Sequence, residues 1–240
     1  MFNIQNDPVI ILAGGFGTRL RTQLNGNPKS LADINGTPFL EILLQKLINQ
    51  GFSNFILCLH YQSELIKEFL EKKIKTHFKN ILINYVVESE PLGTGGAIKN
   101  ALKTFPYNGD ILVMNSDTFI EKNFTEITNL KRNAILVSNV NDAYRYGKIK
   151  VDSESIILDF EEKNNLHEPG LINLGVYKLN SKMFIEYQDE KFSLENNLFP
   201  QLIKNEKVEV YEIDGKFIDI GIPLDYNLFC KYYLNGNFEL

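Results

Sequence analysis

Leu12-Ala-Gly-Gly-Phe-Gly-Thr-Arg-Leu20, with Pro28-Lys29 placing a second cation ten residues after Arg19, decides how this chain is read. The apolar run Val9 to Leu12 ahead of it has the length and content of a buried strand. Ala13, Gly14, Gly15 and Gly17 then leave the end of that strand almost free of side chains, so backbone N–H groups can approach an anion closely. Thr18 opens the segment that follows, and Arg19 and Lys29 supply the charge. A phosphate-gripping loop with two cations is the reading that accounts for all of these residues together.

Three rival readings account for fewer of them. A P-loop needs Lys-Ser or Lys-Thr directly after its last glycine, where this chain has Thr18-Arg19. A dinucleotide fingerprint needs a third glycine where Leu20 stands, and no strand-end acid sits clearly some twenty residues on. A plain strand-to-helix turn without a ligand explains the glycines but not the clustering of Arg19, Arg21 and Lys29.

The 240 residues are enough for one α/β domain with a substantial core, and 44% hydrophobic with 23% charged residues is the balance of an ordered enzyme. A net charge of −5 argues against general binding to nucleic acid or an anionic membrane, so an anion site must be a local cluster, suited to small phosphorylated ligands. Cys58 and Cys230 lack metal-ligand spacing and fit a reducing cytoplasm. Met1 to Pro8 does not read as a signal peptide, and no apolar run approaches the length of a membrane span.

Beyond the first loop, Thr37-Pro38 reads as the cap and first residue of a helix through Asn49, stopped by Gly51. Asn54 to Leu59 and Ile81 to Val87 read as strands around a helix from Ser63, whose Leu65, Ile66, Phe69 and Leu70 recur at helical spacing. A helix from about Thr94 to Lys103 leads into the strand Asp110 to Met114 and then Asn115-Ser116-Asp117. This β-α-β alternation predicts a Rossmann-like α/β fold, a mostly parallel mixed sheet flanked by helices, with ligands at the carboxyl ends of its strands. The second half changes rhythm. Strands at Ala134 to Asn139, Gly147 to Val151, Ser155 to Phe160 and Leu171 to Leu179 predict a partly antiparallel extension, and Val208 to Ile213 with Lys216 to Ile220 read as a hairpin around Asp214-Gly215. Helical patterns recur at Leu194 to Ile203 and Leu224 to Leu234, the latter, with Tyr232 and Tyr233, being either core or a dimer face. No linker interrupts residues 1–240, so the expectation is a single domain with a nucleotide-binding half over about 1–130 and a sugar-phosphate half over 131–240.

The glycine loop and Pro28-Lys29 together resemble the signature of sugar-1-phosphate nucleotidylyltransferases, and four further segments agree in order. Glu88-Ser-Glu-Pro-Leu-Gly-Thr-Gly-Gly-Ala97 resembles the family's base-reading loop. Asn115-Ser-Asp117 sits where the family carries its first metal-binding aspartate, Phe160-Glu-Glu-Lys163 resembles its Phe-x-Glu-Lys element, and Asp219-Ile-Gly-Ile-Pro223 its late aspartate element. Two prolines frequent in the family are replaced, by Ser30 and Asn164, and neither change removes a charge. The resemblance covers about residues 9 to 226 and implies the nucleotide-diphospho-sugar transferase type of fold.

The implied reaction is attack of a sugar 1-phosphate oxygen on the α-phosphorus of a nucleoside triphosphate, with pyrophosphate leaving in line. The nucleophile is already an anion, so positioning and charge neutralisation carry the catalysis, and no general base is needed. The resemblance makes Arg19, Lys29 and Asp117 the catalytic set, with Arg19 on the triphosphate and Lys29 near the α-phosphate. It makes Asp117 and Asp219 the ligands of Mg²⁺. It assigns the nucleotide to Leu12, Ala13, Gly14, Gly15, Gly17, Thr18, Arg19, Glu88, Pro91, Gly93 and Thr94, and the sugar phosphate to Tyr146, Gly147, Glu162, Lys163, Asn173, Gly175 and Glu195.

Glu88 stands where thymidylyl members place a glutamine. An ionised carboxylate only accepts, and guanine's N1–H and 2-amino group offer adjacent donors, so GTP is favoured; the alternative is that Glu88 or Glu90 caps the following helix. Within the family, the Glu-x-Glu-Pro-Leu-Gly-Thr-Gly-Gly and Phe192-Ser-Leu-Glu195 elements resemble the branch acting on D-glycero-D-manno-heptose 1-phosphate. Mannose 1-phosphate is the near alternative, although many of its enzymes carry a β-helical domain for which no residues remain here. From other classes, a non-catalytic nucleotide-sugar-binding protein would be expected to have lost one of Arg19, Lys29, Asp117 or Asp219, and an oxidoreductase would bind nicotinamide cofactors. A homodimer is an expectation from family analogy.

Overall fold

The computed structural model describes residues 2–24, 26–78, 80–161 and 167–236. In chain order the first half runs β1 (Val9–Leu12), the two-residue pair β2 (Asp33–Ile34) and β3 (Thr37–Pro38), α1 (Phe39–Asn49), β4 (Asn54–Leu59), α2 (Ser63–Thr76), β5 (Leu82–Val87), α3 (Gly93–Thr104), β6 (Asp110–Asn115) and β7 (Thr118–Ile120). The second half runs α4 (Thr125–Thr128), β8 (Ala134–Val140), β9 (Lys148–Val151), β10 (Ile157–Glu161), β11 (Gly170–Asn180), α5 (Lys182–Ile185), α6 (Phe199–Asn205), β12 (Glu209–Glu212), β13 (Phe217–Asp219) and α7 (Pro223–Leu234).

β6, β1, β4 and β5 lie side by side and parallel, in that order. Val9, Ile10 and Ile11 of β1 are fully buried, as a strand covered on both faces must be. Their side chains alternate between two cores. Ile11 packs in the layer with α1, through Phe39 and Leu43, while Ile10 faces the layer with α3, through Ile98 and Leu102. Four parallel strands therefore end at one edge, and the segments leaving β1, β4, β5 and β6 meet there.

The antiparallel extension is attached through β11. Its second half pairs β6, and Tyr177 faces Val113 of β6 on one side and Ile135 of β8 on the other. Its first half meets β9 at Ile172, and β10 pairs β9. Between Asn173 and Tyr177 the register with β8 shifts, which bends the strand where it passes the end of β6.

Two sequence expectations are corrected. Thr37-Pro38 does not cap α1: these residues pair with Asp33–Ile34 as β3, and the helix begins at Phe39 without a side-chain cap. Val208 to Ile213 and Lys216 to Ile220 are not a hairpin. β12 instead joins β8 in parallel, and β13 pairs β7 in a separate two-stranded ribbon. The expected helix at Leu194 to Ile203 is divided into a wide turn over Leu194–Leu198, capped by the Ser193 side chain, and α6. α7 buries Phe229 against Phe39 and Phe119, while Leu224 and Leu234 are exposed. No described helix is long and apolar enough to cross a membrane.

Candidate functional site

Two cavities open at the carboxyl edge of the parallel strands, one of about 350 Å³ and one of about 540 Å³, and they share Asn115 and Asp117 at the end of β6 as a common wall.

The smaller cavity is built by the segments that leave β1, β4 and β5. Leu12, Ala13, Gly14 and Gly15 form one side; His60, Glu88, Pro91, Gly93 and Thr94 form the far side. A Cβ at Gly14 would lie 3.2 Å from the His60 Cβ, a tight contact that would press the two segments apart by a few tenths of an ångström, whereas a Cβ on Gly15 would meet nothing within 4 Å. Gly17 has a left-handed backbone, φ 60°, and its Cβ would lie 3.1 Å from that of Lys29. The loop thereby folds back over the turn Lys29–Leu31, and Lys29 Nζ donates to Asp117 Oδ2. Gly17 and Thr18 shape the loop without lining either cavity. Ser30, beside Lys29 on the wall, has a buried hydroxyl without a hydrogen-bond partner among the described residues.

Glu88 is nearly buried, and its Oε2 accepts the Leu92 N–H at 3.0 Å, at the entry to α3. Burial pushes its carboxyl above the usual range, against the lowering effects of that N–H and of the His60 ring when it carries a second proton. Part of the alternative role, capping the helix, is therefore real; it uses one carboxylate oxygen. The glycines after Glu88 do something other than admit a ligand. Cβ atoms at Gly93, Gly95 and Gly96 would lie 2.6, 2.2 and 2.4 Å from Phe192 O, Phe192 Cε2 and Glu190 O. The amides of Gly95 and Gly96 donate to Phe192 O. The run Gly-Thr-Gly-Gly thus seats the start of α3 directly on the chain at 190–193.

The larger cavity holds Arg19, Tyr146, Gly147, Asn173, Gly175, Glu195 and Asp219, with Arg145, Phe160 and Tyr177. Arg19 lines this cavity and not the smaller one. Gly175, φ 71°, passes so close to β6 that its Cβ would lie 2.3 Å from Asn115 Nδ2. The fully buried Tyr177 hydroxyl accepts from Asn173 Nδ2 at 2.8 Å and donates to Glu195 Oε1 at 3.3 Å. Such a hydroxyl left unpartnered would cost about 1–3 kcal/mol. Glu195 Oε2 accepts from Thr94 Oγ1, which lines the smaller cavity, at 3.0 Å and from Ser193 Oγ at 2.8 Å. One carboxylate thus ties the two cavities together. Arg145 donates to Asp225 Oδ2 at 2.6 Å and to Tyr146 Oη at 3.1 Å, and so holds that ring. Glu162 and Lys163 lie outside the described residues.

Asp219 comes to Asp117 from a hundred residues away through the β7–β13 ribbon, whose register sets Asp219 opposite Thr118. Ile220 N–H donates to the Asp117 carbonyl at 2.9 Å, and Gly221 N–H to Asp219 Oδ1 at 2.7 Å. Burial, and then the Asp117 charge, push the Asp219 carboxyl up, while Lys29, the Gly221 amide and Arg19 pull the other way. Among the described residues no three His, Cys, Asp or Glu side chains form a metal-holding group, so a cation here would have these two carboxylates.

Sequence reasoning missed His60, Arg145 and Tyr177, and met Ser30 only as a replaced proline after Lys29. His60 carried no motif, and Tyr177 reads as strand core. Arg145 could have been found as a cation adjoining the Tyr146-Gly147 element.

A family model described as nucleotidyl transferase matches residues 8–234. The chain is 41% identical to the D-glycero-alpha-D-manno-heptose 1-phosphate guanylyltransferase of Campylobacter jejuni, over 90% of this chain and 96% of that one. It is 31% identical to the mannose-1-phosphate guanyltransferase of Saccharomyces cerevisiae, over 95% of this chain but 64% of that one. Among solved structures, HddC from Yersinia pseudotuberculosis complexed with GMP-PN matches with a TM-score of 0.82 and 36% identity, over 95% of this chain and 99% of that one.

Proposed function

Since the chain belongs to the nucleotidyl transferase family, we propose that it transfers GMP from GTP to D-glycero-D-manno-heptose 1-phosphate, giving GDP-heptose and pyrophosphate. The observation that carries this reading is the pair of cavities meeting at Asn115 and Asp117, one suited to a nucleotide and the other to a sugar phosphate. The relatives named for heptose 1-phosphate and the solved structure holding GMP-PN support the choice of sugar and base. The relative named for mannose 1-phosphate is less similar.

In this reading the base lies toward Glu88 and the phosphates toward Gly14, Gly15 and Lys29. A phosphate oxygen of the sugar attacks the α-phosphorus, the new P–O bond forms as the bond to the β-phosphate oxygen breaks, and pyrophosphate departs. Lys29 and Arg19 offset the charge that gathers on the phosphates, and this kind of preorganised stabilisation is worth about 10²–10³-fold in rate per group. Tyr146, Asn173 and Glu195 orient the sugar, and Gly147 and Gly175 leave it room beside the backbone.

Mg²⁺ fits the donor set: two hard carboxylates, Asp117 and Asp219, the second with its pKa raised by burial and by the charge of the first, with phosphate oxygens and water able to complete the oxygen ligands. Bound there, it would neutralise phosphate charge and fix its geometry. The cytoplasm, where GTP is made and used, is the compartment proposed for this reaction.

The test is pyrophosphate release by the purified protein with GTP, ATP, UTP, CTP and dTTP, each against heptose 1-phosphate and mannose 1-phosphate, with Mg²⁺ and with EDTA. Turnover confined to GTP and heptose 1-phosphate, and lost in EDTA, is the expected pattern. A preference for mannose 1-phosphate would replace the sugar assignment, and release with no pair at all would leave a nucleotide-sugar-binding protein.

A further inference from the structure

His60 follows β4 as Glu88 follows β5, and the register Leu59 opposite Val87 makes the two residues neighbours on the wall of the smaller cavity. His60 Nδ1 lies 3.0 Å from the main-chain oxygen of Glu88. A carbonyl only accepts, so this nitrogen carries the ring proton, and Nε2 of the neutral ring is then a bare acceptor. Nε2 makes no hydrogen bond among the described residues. The ring is held in place: Phe16 packs against it at 5.6 Å and 83°, and its Cβ lies against Gly14. On Glu88, Oε2 is committed to the Leu92 amide, which leaves Oε1 for a ligand.

Among the other residues lining this cavity, Pro91 and Ala97 carry no side-chain donor, the Cys58 thiol already points to the Ala97 carbonyl at 3.5 Å, and the Thr94 hydroxyl donates to Glu195; Lys29 and Ser30 stand on the turn that follows the glycine loop. The wall therefore offers two acceptors, Glu88 Oε1 and His60 Nε2, on residues that follow neighbouring strands. Guanine is the common base whose edge presents two adjacent donor groups, N1–H and the 2-amino group; uracil and thymine present one ring N–H, and adenine one amino group. We infer that His60 is a second base-reading residue, its Nε2 accepting from the 2-amino group of guanine while Glu88 Oε1 accepts from N1–H. This assignment rests on the guanylyl-transfer reading above and adds to it a residue that discriminates guanine from hypoxanthine.

The experiment compares kcat/KM for GTP and for ITP, which is GTP without the 2-amino group, in the wild type, His60→Asn and Glu88→Gln. The asparagine amide can reproduce the Nδ1–H bond to Glu88 O but has no atom in the place of Nε2. The wild type is expected to favour GTP over ITP by about tenfold or more. His60→Asn is expected to bring GTP down to the level of ITP and to leave ITP within about twofold of wild type, which also reports an intact fold. Glu88→Gln is expected to weaken both nucleotides. Equilibrium binding of GDP against IDP gives the same comparison without turnover. Equal losses on GTP and ITP in His60→Asn, or no loss on either, would overturn the inference. A wild type that uses UTP or dTTP but not GTP removes the guanylyl reading itself, and this inference with it, before any variant is made.

Discussion

Asp219 carries its charge in a place that resists it. Its carboxyl is held above the ordinary range by burial and by Asp117, so the folded state favours the protonated form. The penalty applies where the group is ionised and is relieved as pH falls through the raised value. Asp219→Asn, in EDTA, is therefore expected to be more stable than the wild type at about pH 8, with the difference closing toward about pH 4, the usual carboxylate range. Its turnover with Mg²⁺ is expected to fall about 10²-fold or more. Melting curves across pH, paired with pyrophosphate release, check both halves; a destabilised variant would mean that the carboxylate is structural. Glu88 gives a second pH signature. In its proposed role as base reader it acts ionised, and its carboxyl is also raised, so KM for GTP should climb on acidification sooner than an ordinary glutamate would allow. Glu88→Gln should abolish that climb.

Glycines at the level of elements do two different jobs, and substitution separates them. Gly93→Ala puts a side chain on a left-handed residue and 2.6 Å from Phe192 O, so α3 must lift from the chain at 190–193. A loss of about 1–3 kcal/mol in urea unfolding is expected. Gly15→Ala meets nothing and should leave stability unchanged while raising KM for the nucleotide, because the new methyl group occupies the ligand's side of the loop. Equal destabilisation of both variants would contradict this division. The parallel core was legible in the sequence because β1, β4 and β6 are continuous apolar runs bounded by glycine or helix signals. The second half was legible as strands but not as pairings. Asp214-Gly215 is a local turn signal, yet β12 and β13 take partners from 134–140 and 118–120, and nothing local encodes that choice. The same pairing delivers Asp219 to Asp117; in the sequence only the family resemblance joins the two aspartates, and no local signal does. His60 and Ser30 stayed hidden because their significance lies in an unfilled hydrogen bond, which only coordinates reveal.

At the scale of the molecule, two strand pairings join the halves, β11 with β6 and β13 with β7. β11 pairs β6 on one edge and β8 on the other, and one hydrophobic core includes Val9, Ile172 and Phe229. Residues 1–130 and 131–240 are therefore expected to unfold together: calorimetry should give one transition with equal calorimetric and van't Hoff enthalpies, and two resolved transitions would show separable halves. The wall that the cavities share, Asn115 and Asp117, has a pharmacological corollary. Where two chambers are parted by so little, a single molecule can reach into both, and its second foothold is gained at high effective concentration. An inhibitor that joins a guanosine phosphate to a heptose phosphate through a short bridge should bind far more tightly than either fragment, with its two affinities combining nearly as a product.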